Sequence, residues 1–458
     1  MTKELKQLAC DLVDRAKARG AAHADALAVA STGESVRVRN GSVESVERED
    51  AQGLGLRVFV ETPKGLAFAT ASTSDVSPEG LSRLVAQVID MAKISEPDPE
   101  AVPPVGARHP EASELALWQE EHGKVETPWN TEAARAAALA CEQAALAYST
   151  QISNSEGGEA GFSSSRIAYA ASDGFAAGYA KSSAALSVSV IAGTGDGMQR
   201  DYAWQRALNA ADLRSPEKIG QEAAERTVRR LGAGDFGGGA MPVIFEPRIA
   251  TSLLGHLVSA INGKAVLQHR SFLAEHLGEK IFPDIVTVVD DPDHPEGLGN
   301  RLFDGEGTRC ERLELVSAGR LNTWLTNRYT AKRLGFAETG HASRGLTGDI
   351  GISTSNLILQ PGALSPDEML AEIGSGLLVT ELIGFGVNGV TGDYSRGAAG
   401  FLIENGKVGR PVHNITIAGN LKKMFAGISH VGSDLNWFGT TACPSIALTG
   451  MTVAGQAK

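Results

Sequence analysis

The chain has 458 residues, 42% hydrophobic and 21% charged, a soluble globular balance with enough apolar material for a real core. At roughly 150 residues per domain, the length predicts two or three domains. A formal net charge of −12 argues against nucleic acid or an anionic membrane as main partner, because both need basic patches.

From the N-terminus, Leu5, Leu8, Leu12, Val13 and Ala16 recur at helical spacing, and Gly20 ends the pattern. Two alternating runs follow, joined at Asn40-Gly41, a strong hairpin signal. A second hairpin turns at Pro63-Lys64-Gly65, and the next helix opens with Ser77 as N-cap and Pro78 in its first turn. A proline-rich connector interrupts the pattern near 95–112. Helices are then predicted around 131–147 and 216–231, with alternating strand patterns over 165–205. The glycine-rich stretch 231–240 is the clearest linker, which divides the chain into 1–230 and 241–458, with a possible subdivision of the first part near 95–112. Beyond it come a strand, an apolar helix and, from about 283, mostly strands punctuated by Gly or Asp-Gly. The expected class is α+β: an N-terminal α/β domain with an antiparallel sheet and helices, and a C-terminal, largely antiparallel, curved or barrel-like β domain with helices.

Cys10, Cys141, Cys310 and Cys443 are scattered and form no CxxC pair, as expected of reduced thiols. The N-terminus lacks the apolar core of a signal peptide, and no apolar run reaches the about 18 residues of a membrane-spanning helix. A cytoplasmic location is therefore expected.

Several segments, in order over nearly the whole chain, resemble the TldD/PmbA metallopeptidase family. They include SVRVRNGSVESVEREDAQGLGLRVF, FDGEGT, RYTAKRLG, NLILQPG, GFGVNGVTGDYSRGAAGFLIENG and HNITIAGNL. The resemblance implies one half of a two-chain complex. TldD-type chains carry HExxxH on a helix, two histidines binding a metal and the glutamate activating water, with a C-terminal cysteine completing the site. Here the matching helix is SLLGHLVSAINGKAV: Gly255 and Ala260 occupy the histidine positions and His256 the glutamate position. None of the ten histidines is followed by Glu. The chain thus resembles the TldE/PmbA-type subunit, with no catalytic residue and no cofactor of its own. The metal, zinc by expectation, belongs to a TldD-type partner.

The implied role is to complete a chamber and hold unfolded or extended peptides, with strand addition as one means. The alternative is a homodimeric, non-enzymatic peptide-binding or scaffold protein. The peptide- or partner-facing candidates are His256, Asn388, Thr391, Asp393, Tyr394, Ser395 and Arg396, the last six within a glycine-dense motif whose backbone can turn tightly. Other groups carry weaker functional readings. Asp290, Asp291, Asp293 and His294 form an acidic cluster with possible cation affinity. His269 and His276 lie seven apart. Cys443 has His430 as its nearest histidine in sequence. Asp304, Glu306 and Thr308 are read as bracing a turn.

Overall fold

The computed structural model describes residues 2–122 and 129–455. Its N-terminal half is built on β1 (His23–Arg39), β2 (Ser42–Thr62), β3 (Gly65–Thr73), β4 (Ile152–Ala171), β5 (Ala176–Ala192) and β6 (Gln199–Ala207). They form one antiparallel sheet in the order β3-β2-β1-β4-β5-β6. The β1–β4 pairing runs from Asp25 opposite Ala171 to Val38 opposite Gly158, so strands from either side of the proline-rich connector share this sheet.

Alternation along β1 decides what covers each face. Ala24, Ala26 and Ala28 pack with α1 (Thr2–Ala18) and α2 (Pro78–Ile94), both of which bury one apolar stripe. Farther along the same face, Val36 and Val38 pack with residues of α4 (Thr131–Ala147) and α5 (Pro216–Val228). The strands are thus long enough to carry two separate cores. Small residues let α4 and α5 approach closely: a Cβ on Gly220 would sit 2.2 Å from the Cys141 carbonyl oxygen. On the opposite face, Leu27 and Tyr169 pack with Leu115 of α3 (Ala112–His122) and with Phe303 of the C-terminal half.

The hairpin between β1 and β2 turns through Asn40 (φ 50°) and Gly41 (φ 75°), the left-handed pair that a two-residue turn requires. Glu142 of α4 fixes it from inside. Its carboxylate accepts the Asn40 and Gly41 amides at 2.9 Å each and the Ser155 hydroxyl at 2.6 Å.

The C-terminal half runs through β7 (Gly238–Phe245), α6 (Pro247–Ala260), α7 (Gly263–Leu267), β8 (Val288–Asp290), β9 (Leu313–Ser317), β10 (Arg320–Leu321) and α8 (Arg328–Leu334). It continues through β11 (Ala342–Ser343), β12 (Gly351–Ile352), β13 (Leu357–Leu359), α9 (Pro366–Ile373), β14 (Gly376–Ile383), β15 (Asp393–Glu404) and β16 (Lys407–Asn420). The last elements are α10 (Leu421–Ala426), β17 (Ile428–Val431), β18 (Asn436–Phe438), β19 (Thr441–Cys443) and β20 (Ile446–Ala454). Because β16 pairs with both β15 and β20, the strands β16-β15-β14-β7-β20 close into a small barrel, antiparallel except for the β14–β7 pair. A mixed sheet, β10-β9-β8-β13-β19-β18, lies beside it, and α6 buries Ala250, Leu253, Leu254, Leu257 and Ala260 in their common core. The expected α+β class and barrel-like C-terminal part are what the strands form.

Two buried ionic clusters fasten the halves together. In the first, Asp25 of β1 accepts two bonds from Arg57 (3.2 and 2.6 Å), accepts the Tyr169 hydroxyl at 3.2 Å, and lies 2.7 Å from Arg344. Glu306 stands 3.6 Å from Arg57. In the second, Asp201 of β6 faces Arg226, Arg230 and Arg248, while Glu246, at the start of α6, faces Arg226, Arg229 and Arg248. Burial would raise the Asp201 carboxyl, but Arg248 and Arg226 outweigh it and hold it low.

Candidate peptide- and partner-facing site

The glycine-dense motif is the loop joining β14 to β15. Asn388 organises it, its side-chain oxygen accepting the Val390 amide at 2.9 Å and the Thr391 amide at 3.2 Å. The Thr391 hydroxyl donates to Asp393 at 2.7 Å, and Asn420 donates to Asp393 and to the Thr391 carbonyl. These bonds lower the Asp393 carboxyl, the one from Thr391 most. The Ser395 amide donates to the Gly386 carbonyl at 2.7 Å, and a Cβ on Gly386 would come within 1.9 Å of the Ser395 carbonyl oxygen. Glycine at 386 is therefore a demand of close backbone approach. The result is a rigid knob. Asn388, Thr391, Asp393 and Ser395 are exposed on it, as are Ile383 and Val390, and Phe385 is 97% exposed. The Arg396 guanidinium covers Phe385 from one side, 6.0 Å from the ring centre.

Beneath the knob lie the other three candidates. The His256 ring meets Tyr394 edge-on at 5.9 Å. His256 Nε2, Tyr394 Oη and Arg396 Nε are all buried without a hydrogen-bond partner of good geometry. Burial, then Arg396, lowers the His256 pKa, so the ring is neutral at physiological pH. Burial pushes the Tyr394 phenol up to about 12. All seven residues come together, but in two layers: four exposed polar groups above, and a ring pair with Arg396 below.

A larger cleft of about 720 Å³ separates the edge strand β3 from α7 and α8. Phe59, Phe68 and Tyr329 supply aromatic walls, and Arg57 and Glu306 line it as well. Sequence reasoning missed the ionic cluster here, although Asp25 and Arg57 each interrupt an apolar strand run, the one signal that pointed to them. Asp304 braces the adjoining turn by accepting the Glu306, Thr308 and Ala342 amides. Burial, with help from Glu306, raises its carboxyl to about 7.

The acidic cluster does not converge. Asp290 points inward, accepting the Ser355 hydroxyl at 2.6 Å and lying 3.0 Å from His341 Nε2. All three are buried, and the serine bonds the aspartate and not the histidine, so this is no nucleophile triad. Asp293 points outward to His122 at 2.9 Å, and His294 tilts against Trp437. His269 sits in a turn at φ 53°, and His276 pairs with Glu279.

Comparison with known proteins agrees with this architecture. Models of the PmbA/TldA metallopeptidase domain 1, central domain and C-terminal domain match residues 24–92, 126–231 and 238–455. The Escherichia coli O157:H7 metalloprotease PmbA is 40% identical over 431 residues, covering 93% of this chain and 91% of that protein. The chain belongs to the PmbA/TldD family. A crystal structure from Bacteroides thetaiotaomicron matches with a TM-score of 0.87 at 28% identity over 99% of both chains. TldE from Thermococcus kodakarensis shares the fold, with a TM-score of 0.83 at 22% identity over 98% of this chain and all of that one.

The name of the PmbA/TldD family raises the question of a metal, and the residues of α6 do not fit one. Gly255 and Ala260 offer no ligand atom, and His256 Nε2 faces a buried space beside an arginine. Cys443 shares a core with Leu253, Leu254 and Leu257 of α6, is fully buried, and has its thiol pushed well up by burial. Such a thiol is a small apolar group and not a ligand.

Proposed function

We propose that this chain is the metal-free subunit of a two-chain, cytoplasmic metallopeptidase of its family, paired with a TldD-type chain that carries HExxxH and its zinc. The observation that carries this reading is α6, where the family's metal positions hold Gly255, His256 and Ala260. The chain's own contribution is to complete the chamber and hold unfolded or extended peptides. The open edge of β3 supports the second role. Among the described residues this strand pairs only with β2, apart from a single bridge at Leu66, and Phe68 and Thr70 line the cleft beside it. An added peptide strand would gain main-chain hydrogen bonds there whatever its sequence. The 384–396 knob supports the first role: a preorganised aromatic tip costs little ordering entropy on association.

The test is proteolysis of an unfolded peptide by the purified chain alone and with a TldD-type chain, with zinc measured in each. Activity and zinc appear only with the partner. Phe385→Ser weakens association with the partner at least about tenfold while leaving stability within about 0.5 kcal/mol, as for an exposed residue. Stoichiometric zinc and chelator-sensitive activity in the chain alone would overturn the proposal.

A further inference from the structure

The knob carries one charge that its own chain does not answer. Arg396 is half-buried, its Nε is buried without a hydrogen-bond partner, and among the described residues its guanidinium makes no ion pair. Its neighbours are rings: it lies over Phe385, 6.0 Å from the ring centre, and beside Tyr394 and His256. The arginines of the two buried ionic clusters, by contrast, each face a carboxylate.

No group around Arg396 can supply the missing anion. Alternation along β15 sends Asp393 to the exposed side of the strand, away from Tyr394 and Arg396. There Asp393 is held by the Thr391 hydroxyl at 2.7 Å and by Asn420 at 3.1 Å. Glu381 of β14 is bonded to Arg230, and the residue opposite Arg396 on β16 is Ile417. Burial raises the Tyr394 phenol to about 12, so it carries no charge, and His256 is neutral.

Phe385 ties this charge to association. It is 97% exposed, and a partner that covers its ring also covers the guanidinium beside it and strips Arg396 of water. Dehydrating an ion that has no counter-ion outweighs what burial of one ring returns, so a purely apolar pocket would not hold this knob. A carboxylate answers the arginine best, because it accepts two parallel N–H bonds from the planar fork.

We propose that the knob is a two-point contact: Phe385 enters an apolar pocket of the TldD-type chain, and Arg396 pairs with a carboxylate that this chain presents beside the pocket. The inference rests on the subunit reading and adds the chemistry of the partner's surface.

The test is the dissociation rate of the full chain from a purified TldD-type chain, with Arg396 replaced by Lys, Gln or Glu and melting temperatures unchanged. Arg396→Lys keeps most of the binding, and Arg396→Gln dissociates at least about tenfold faster. Arg396→Glu, which sets like charge against the partner's carboxylate, binds more weakly still. Should the Glu variant not fold, the comparison of Lys with Gln decides. Wild-type binding by Arg396→Gln, or an Arg396→Glu variant no weaker than Arg396→Gln, would overturn the proposal. If Arg396→Gln binds normally while Phe385→Ser does not, the carboxylate falls and the subunit reading stands, whereas a wild type that forms no complex removes both. Variants that lose only self-association of this chain would seat a second copy on the knob and overturn the TldD-type occupant.

Discussion

Replacing Arg344 by methionine removes the one guanidinium that the C-terminal half sends to Asp25. The Arg344 side chain is 2% exposed and that of Asp25 fully buried, so water cannot take over. What remains is two carboxylates, Asp25 and Glu306, facing the single cation Arg57. Breaking a buried pair by removing one partner costs about 3–5 kcal/mol, and a loss within that range is expected because the residual charge is negative and Asp25 is fully buried, while Arg57 and Glu306 reach the cleft beside β3. Replacing Asp25 as well, as Asp25→Leu/Arg344→Met, restores balance between Arg57 and Glu306, so the double variant is more stable than Arg344→Met alone. The pH dependence follows from the same groups. Burial alone would raise the Asp25 carboxyl, but Arg344 and then Arg57 outweigh it and hold it below its ordinary value. Its stabilising contribution is therefore present above the unfolded value of about 3.9 and lost as pH falls through the lower folded value. Arg344→Met shrinks that acid-side loss. Urea unfolding followed by two probes, one in each half, measures the effect and also shows whether the halves come apart in separate steps. A cost below about 1 kcal/mol, or strictly additive losses in the double variant, would refute the reasoning.

Asp304 has the opposite sign. Its folded carboxyl is raised to about 7, so the folded protein holds a proton that the unfolded chain releases near its ordinary value, and stability declines as pH rises between about 4 and 7. Melting temperatures across that range flatten in Asp304→Asn. Glu142→Ala removes three hydrogen bonds, those from the Asn40 and Gly41 amides and from the Ser155 hydroxyl, with an expected loss of about 2–4 kcal/mol by urea unfolding.

Local chemistry made much of the fold legible. Asn40-Gly41 turns where a left-handed pair must. Ser77 accepts the Gly80 amide at 3.1 Å as an N-cap, and α4 covers the predicted 131–147. Gly20, at φ 96°, ends α1 as expected. What could not be read was pairing at a distance. No periodicity tells β1 that its second neighbour is β4, or β16 that it closes on β20. The run DIVTVVDD reads as a full strand, yet the strand is only Val288–Asp290, because the start of the run is folded into a turn closed by the Val286 amide on the Pro283 carbonyl at 3.1 Å. At the candidate site, the motif located the knob, but not that Tyr394 is buried under it while Asn388 and Ser395 are exposed. Alternation across the start of β15 buries Tyr394 between the exposed Asp393 and Ser395, and it depends on where the strand begins. The charges at Asp25 and Arg57 were visible as interruptions, but their partners come from residues 306 and 344, beyond the reach of any local pattern.

The place of β1 in the sheet has a consequence for synthesis of the chain. In the finished protein β1 lies inside the sheet, but its neighbour β4 is not complete until residue 171 has emerged. At about 5–20 residues per second the ribosome needs roughly 5–20 s to pass from the end of β2 to that point. Throughout that time a nascent hairpin with strands of 17 and 21 residues presents an unpaired edge. Such an edge is a template for the wrong strand, including the same hairpin on a neighbouring ribosome. The polar outer stretch of β2, with Glu44, Glu47, Arg48, Glu49 and Asp50 all drawn from one short run, keeps that exposed ribbon charged while it waits.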